Sequence, residues 1–197
     1  MTQIPGSELE AVNLMLATIG ESPIATLENS GNVDATLALQ TLTEISTDVQ
    51  SRGWHFNTDK NYPLFPQATP PYAVIVPPNT ARIDRSRNTG DVDIAIRGGK
   101  LWNRKSHSFS FEGVGGILVD IVWILPFNDL PIQARRYVAV RAARVFQDRS
   151  IGSTTLHSFT SRDEEIALAG LRKFEAKTAN RSLLNSSWSV ARTLWRR

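Results

Sequence analysis

A chain of 197 residues with 41% hydrophobic and 21% charged side chains can bury a real core and sits near the globular average. It has no cysteine, which excludes disulfide and thiol chemistry, and no apolar run approaches the roughly 18 residues of a membrane span. The net charge of +3 conceals a gradient: residues 131–197 carry 13 Lys/Arg against 5 Asp/Glu, and residues 1–130 carry 9 against 14.

The opening MTQIPGSELE lacks the charged-then-apolar order of a signal peptide. Ser7 and Glu10 then form a capping box, in which each side chain can satisfy a free backbone N–H at a helix start. Leu9, Val12, Leu16 and Ile19 recur at helical spacing, Gly20 suits a left-handed stop, and Pro23 forbids continuation. A second helix is expected from about Val33 to Arg52, with Ala38, Leu42, Ile45 and Val49 as its stripe and Gly53 as its stop. Residues 1–53 therefore read as an antiparallel helical hairpin.

The texture changes at Trp54. Prolines and glycines punctuate short β-favouring runs: YAVIV (72–76), VDIAI (92–96), KLWN (100–103), SFSF (108–111) and ILVDIVWIL (117–125). Gly98-Gly99 suits a hairpin turn, since both glycines accept positive φ. Residues 54–130 have no room for parallel crossovers and read as a small antiparallel β-rich insert.

Helices return at the end. Asp129 is the expected cap and Pro131 the first-turn residue of a helix over 131–149, with Ala134, Val138, Ala142 and Val145 inward. Ser161 and Glu164 read as a second capping box, opening a helix to about Asn180 with Ala167, Leu171 and Phe174 inward. The expected fold is α+β: mainly a helical bundle of two hairpins, 1–53 and 131–181, with the β insert between them. An extended arm, residues 182–197, follows.

Little in the chain looks reactive. His55, His107 and His157 are too far apart for the helical pairing of a zinc site, so no metal or cofactor is expected. GVGGIL (113–118) precedes a strand and lacks the lysine of a phosphate loop, so it reads as a turn. Asp91 and Asp93 read as a solvated strand edge, and Glu112 and Asp120 have no evident partner. In GWHFN (53–57), Trp54 and Phe56 are expected to pack into the bundle rather than to bind a ligand.

The order AVNLMLATIGESPIATLE, LQTLTEISTDVQSRGWHFN, LPIQARRYVAVRAARVFQDRSIGS, DEEIALAGLRKFEAKTANRSLL resembles the tail tubular protein A family, the head-to-tail adaptors of short-tailed bacteriophages. The likeness covers most of residues 7–184, although 60–115 match only in texture. It implies a non-catalytic virion protein of the tail, assembled in the host cytoplasm, without cofactor or membrane attachment. It further implies a dodecameric ring between the portal and a nozzle protein resembling tail tubular protein B, with the double-stranded genome passing through without sequence-specific contact. The family's portal-gripping segment maps to residues 182–197, which places Trp188, Arg192, Leu194, Trp195, Arg196 and Arg197 at the portal.

Arg135, Arg136, Arg141, Arg144 and Arg149 crowd the third long helix. A DNA-gripping stripe is one reading, but six to ten phosphate contacts confer orders of magnitude in affinity, and a ring would multiply them. A conduit that held its cargo so tightly would obstruct passage. Ion pairs to a neighbouring subunit or to the portal are the better expectation for Arg135, Arg136, Arg141 and Arg144. Two other classes compete with the adaptor: a tail-associated glycan hydrolase, which needs an Asp/Glu pair, and a basic DNA-binding regulator, suggested by a pI near 9.5.

Overall fold

The structure, a computed structural model, describes residues 4–28, 31–87, 92–152 and 154–186; within the last segment, side chains are described for 161–178. The chain forms an α+β fold divided into two compact units, Gln50–Leu125 and the flanking Met1–Val49 with Pro126–Arg197. The β-rich unit begins and ends slightly earlier than the composition change suggests.

In the flanking unit, α1 spans Glu8–Thr18, α2 Val33–Ser51, α3 Ile132–Ser150 and α4 Thr154–Ser186. Ser7 caps α1, its Oγ accepting from the Glu10 N–H at 3.3 Å. The Glu10 carboxylate reaches back one residue further than a capping box requires and accepts from the Gly6 N–H. The buried face is Ala11, Val12, Met15 and Leu16; Leu9 and Ile19 are only half-buried, which rotates the expected stripe. Gly20 closes the helix at φ +83°, and Glu21 N–H returns to the Leu16 carbonyl at 3.0 Å.

Ala38, Leu42, Ile45 and Val49 are buried on α2 as their spacing requires. Its cap is Asn32, whose Oδ1 accepts from the N–H groups of Asp34 and Ala35. The first two helices are not each other's closest neighbours: α1 lies against α3, and α3 against α4. α3 earns this central place by burying small residues, Ala134, Val138, Ala139, Ala142 and Ala143, around Tyr137 and Phe146.

Two expected helix starts are wrong. Asp129 lies in a short 3-10 turn, Phe127–Asp129, and Pro131 itself precedes the first residue of α3 with no side-chain cap. α4 begins at Thr154, so Ser161 and Glu164 are interior and Glu164 is free for another use. Ala167 and Leu171 are buried as expected, and Phe174 is half-buried.

The β-rich unit holds β1 (Thr58–Leu64), β2 (Thr80–Arg85), β3 (Ile94–Arg97), β4 (Lys100–Asn103) and β5 (Ile117–Trp123). β5 is the centre of an antiparallel sheet ordered β1-β5-β2, and β3 and β4 form a separate hairpin whose turn glycines, Gly98 and Gly99, both have positive φ. YAVIV and SFSF are not strands: each makes one isolated bridge, Ile75 to Lys100 and Asn103 to Ser108. Ala73, Val74, Val76 and Phe111 are buried nonetheless, and Val74, Val76 and Phe111 join the core of Leu64, Leu101, Ile117, Val119 and Ile121.

The unit is closed by two buried amides. Gln50 pairs with the peptide groups of Leu125 in both directions, Nε2 donating to its carbonyl at 3.0 Å and Oε1 accepting from its N–H at 2.7 Å. Asn57 donates to the Gln50 and Trp123 carbonyls at 2.9 and 2.7 Å and accepts from the Trp54 N–H at 2.9 Å. Both side chains are essentially excluded from solvent, whereas Trp54 and Phe56 are half-buried, so the buried member of GWHFN is its asparagine. Gly53, at φ +74°, is a strained place for any side chain: a Cβ there would stand 3.2 Å from the Val122 and Arg82 side chains, which would have to shift.

Asn57→Asp tests this closure. The change keeps the acceptor for Trp54 but aims a carboxylate oxygen at two carbonyls. It should cost at least about 3 kcal/mol in urea denaturation, more than Asn57→Ala, because an uncompensated buried charge is worse than a missing donor.

Candidate interaction surfaces

The spacing of the arginines on α3 sets two of them beside Tyr137 on one face, three residues apart. Arg141 reaches Asp48 on α2 at 2.9 Å and Glu164 on α4 at 3.7 Å, with a long hydrogen bond to the Tyr137 hydroxyl at 3.4 Å. Arg144 donates to the other Glu164 oxygen at 2.5 Å and to Asp148 one turn along at 3.1 Å. One carboxylate thus bridges two guanidiniums, and the network ties three helices together. Its centre is mostly buried, the Arg141, Arg144 and Glu164 side chains being 20%, 21% and 16% exposed, while Asp48 is half exposed. Burial opposes the charged form of Arg144, but the Glu164 hydrogen bond and charge, with Asp148, outweigh it and raise its pKa.

Arg149 makes a bidentate contact with Glu44, at 2.8 and 3.0 Å, on the outer side of α2. This bond holds the Glu44 carboxyl below the ordinary glutamate range and raises Arg149 in turn. Arg135 donates to the Gly6 carbonyl. Arg135, Arg141 and Arg144, expected to face another chain, therefore have partners inside their own. Arg136 is half-buried and has no partner among the described residues. The acids that matter, Glu44, Asp48 and Glu164, lie on helices other than α3, so spacing within one helix could not reveal them.

Other carboxylates are likewise engaged. Asp120 accepts from the Asn61 N–H at 3.0 Å, Asp59 from the Trp123 indole at 2.8 Å, and Asp84 pairs with Arg82 at 2.8 Å. Asp120 thus has the partner that the sequence did not disclose. Among the described residues, no three His, Asp or Glu side chains cluster as a metal site, and no helix is long and apolar enough to cross a membrane. Trp188, Arg192, Leu194, Trp195, Arg196 and Arg197 lie outside the described residues.

Two measurements check the network. Glu164→Ala, which strips Arg144 of its closest partner, should lower unfolding free energy by about 1–3 kcal/mol. Arg149→Gln should return the Glu44 carboxyl titration, followed by NMR, to the ordinary glutamate range. Because the folded-state pKa is lowered, the contribution of this pair is full above the ordinary value and is lost as pH falls through the lowered one. The difference in melting temperature between wild type and Arg149→Gln should accordingly vanish in acid.

Among characterised proteins no sequence match is found. The profile of the family described as Tube, tail tubular protein, matches residues 9–181, from the first turn of α1 to within the last two turns of α4. The match spans both compact units, including the β-rich stretch. The chain belongs to the tail tubular protein family and is a structural protein of the phage tail.

Proposed function

We propose that this chain is the subunit of an adaptor ring, of about twelve copies, that joins the portal to the nozzle of a short-tailed phage and surrounds the path of the ejected genome. The observation that carries this reading is the family match over residues 9–181, combined with an arginine-rich helix whose charges are mostly satisfied within the chain. A subunit whose charge network is satisfied internally is a rigid building block. Ring closure then rests on two different complementary flanks, as heterologous assembly demands. Arg136 is the α3 arginine left to reach a neighbour or the portal.

The matched body stops at 181, and residues 182–197 add two tryptophans and three arginines without an acid. Tryptophan and arginine are the residue types most enriched at interface hot spots. Trp188, Leu194 and Trp195 are assigned to apolar grooves of the portal, and Arg192, Arg196 and Arg197 to its carboxylates. Charge-assisted hydrogen bonds of roughly 1.5–3 kcal/mol each supply much of the affinity, and repetition around a ring makes a weak single arm sufficient. DNA passes with weak, sequence-independent contact, since phosphate contacts carry no sequence information.

Mixing the purified chain with its cognate portal should give one large species, seen by negative stain as a ring with a central hole. A chain truncated after Ser186 should keep its helical circular dichroism and fail to co-migrate with the portal. Docking of the truncated chain as tight as that of the full one would remove the arm from the assignment. A full-length chain that never co-migrates, at any ionic strength, would overturn the adaptor reading.

A further inference from the structure

We propose that the outer face of the β3–β4 hairpin is a contact surface for the phosphate backbone of double-stranded nucleic acid. From Ile94 to His107 the chain has four Lys/Arg and no acid. The antiparallel register sets Arg97 opposite Lys100 and Ala95 opposite Trp102, and opposed residues share a face. Leu101 is fully buried, so alternation turns Lys100 and Trp102 outward, with Arg104 next along the same side.

The cations on this face remain open to solvent, and Arg97 among them is held in place. The Arg97 guanidinium lies 4.5 Å from the centre of the Trp102 ring, and Phe109 packs against the same ring in a T-shaped arrangement, centroids 4.8 Å apart. Such stacking orders an arginine before a ligand arrives and reduces the entropy lost on binding. Arg97 and Lys100 are exposed, and Arg104 has only a loose pair with Asp93, at 3.7 Å with both side chains more than half exposed. Water and salt compete effectively with a pair of that kind. At the tip, Gly98 and Gly99 have open space where a Cβ would stand, so a phosphate can approach the main chain.

The same geometry selects the ligand. Trp102 is already engaged by Arg97 over its ring and by a T-shaped contact with Phe109, which leaves it ill-suited to stack an unpaired base. What remains is a row of cations about 13 Å long from Lys100 to Arg104, at the usual rise of a strand. A face of this kind meets phosphates and ignores sequence. Two or three phosphates per copy are far fewer than the six to ten weighed for α3, each contributes a salt slope of about 0.9, and sequence-independent contacts of this kind let a duplex slide. The contact itself stands on the hairpin; its place along the path of the genome rests on the adaptor reading.

The test uses the full-length chain, two short duplexes of unrelated sequence and a salt series. Arg97→Gln with Lys100→Gln should reduce the slope of log K against log salt by about two per bound protomer. Wild-type affinity should then fall on the order of tenfold more than that of the variant between 50 and 200 mM salt, equally for both duplexes. Arg136→Gln should leave the slope unchanged, and all variants should melt like wild type. A slope unaffected by the double change would overturn the proposal. So would a double variant that binds duplex normally but loses a protein partner, which would assign the face to an acidic protein surface. Failure of the adaptor reading shows separately, as wild type that does not join the portal.

Discussion

The chain leaves its helices at residue 50 and returns to them near 125, and everything between depends on those two points staying together. Gln50 does this with a side-chain amide that pairs with both the N–H and the C=O of Leu125, as a residue of a neighbouring strand would. Asn57 then fixes the Gln50 carbonyl and the end of β5 in one step. Because both amides are buried, each bond is made without competition from water, and each failure would leave two groups unsatisfied instead of one. Gly53 is part of the same constraint, since a Cβ at its positive φ would be strained and would crowd Arg82 and Val122.

The helical unit is held differently. Its ion pairs run between helices that are distant in sequence, from Asp48 on α2 through α3 to Glu164 on α4. The five arginines that give α3 its basic appearance are therefore a poor guide to what the surface offers. Arg97 and Lys100 on the hairpin, fewer and less conspicuous, are exposed and stand outside such close pairs. Composition reports how much charge a segment carries; only the fold reports how much of it is left over.

The helices were legible because their signals are local. Caps at Ser7, stops at Gly20 and Gly53, and the stripe of α2 each lie within a few turns, and the Gly98-Gly99 turn needs no distant partner. β1 and β2 were not legible. TDKNYPL and TARIDR have little apolar content, because the sheet takes most of its core from β5 between them. YAVIV misled in the opposite sense: it is apolar because it is buried, and Pro77 and Pro78 end it before a ladder can form. Ser161 and Glu164 had the pattern of a cap but serve inside a helix that starts earlier, where Glu164 is used by α3. Glu44, Asp48 and Asn57 were invisible as a class, since nothing in a linear pattern says which distant group a polar side chain will meet.

β1 has one further consequence, for crowding. It is an edge of its sheet, and it contains Pro63, a register shift between Asp59 and Tyr62, and Asn61 at φ +57°. Proline lacks the N–H that an incoming strand would need, and a bulge twists the remaining row of amides out of line. On the other edge, β2 presents Arg82, Asp84 and Arg85. Chains that meet at high concentration are exposed to the pairing by which bare sheet edges zip into fibres. Both margins of this sheet oppose that pairing, one by proline and a bulge, the other by charge.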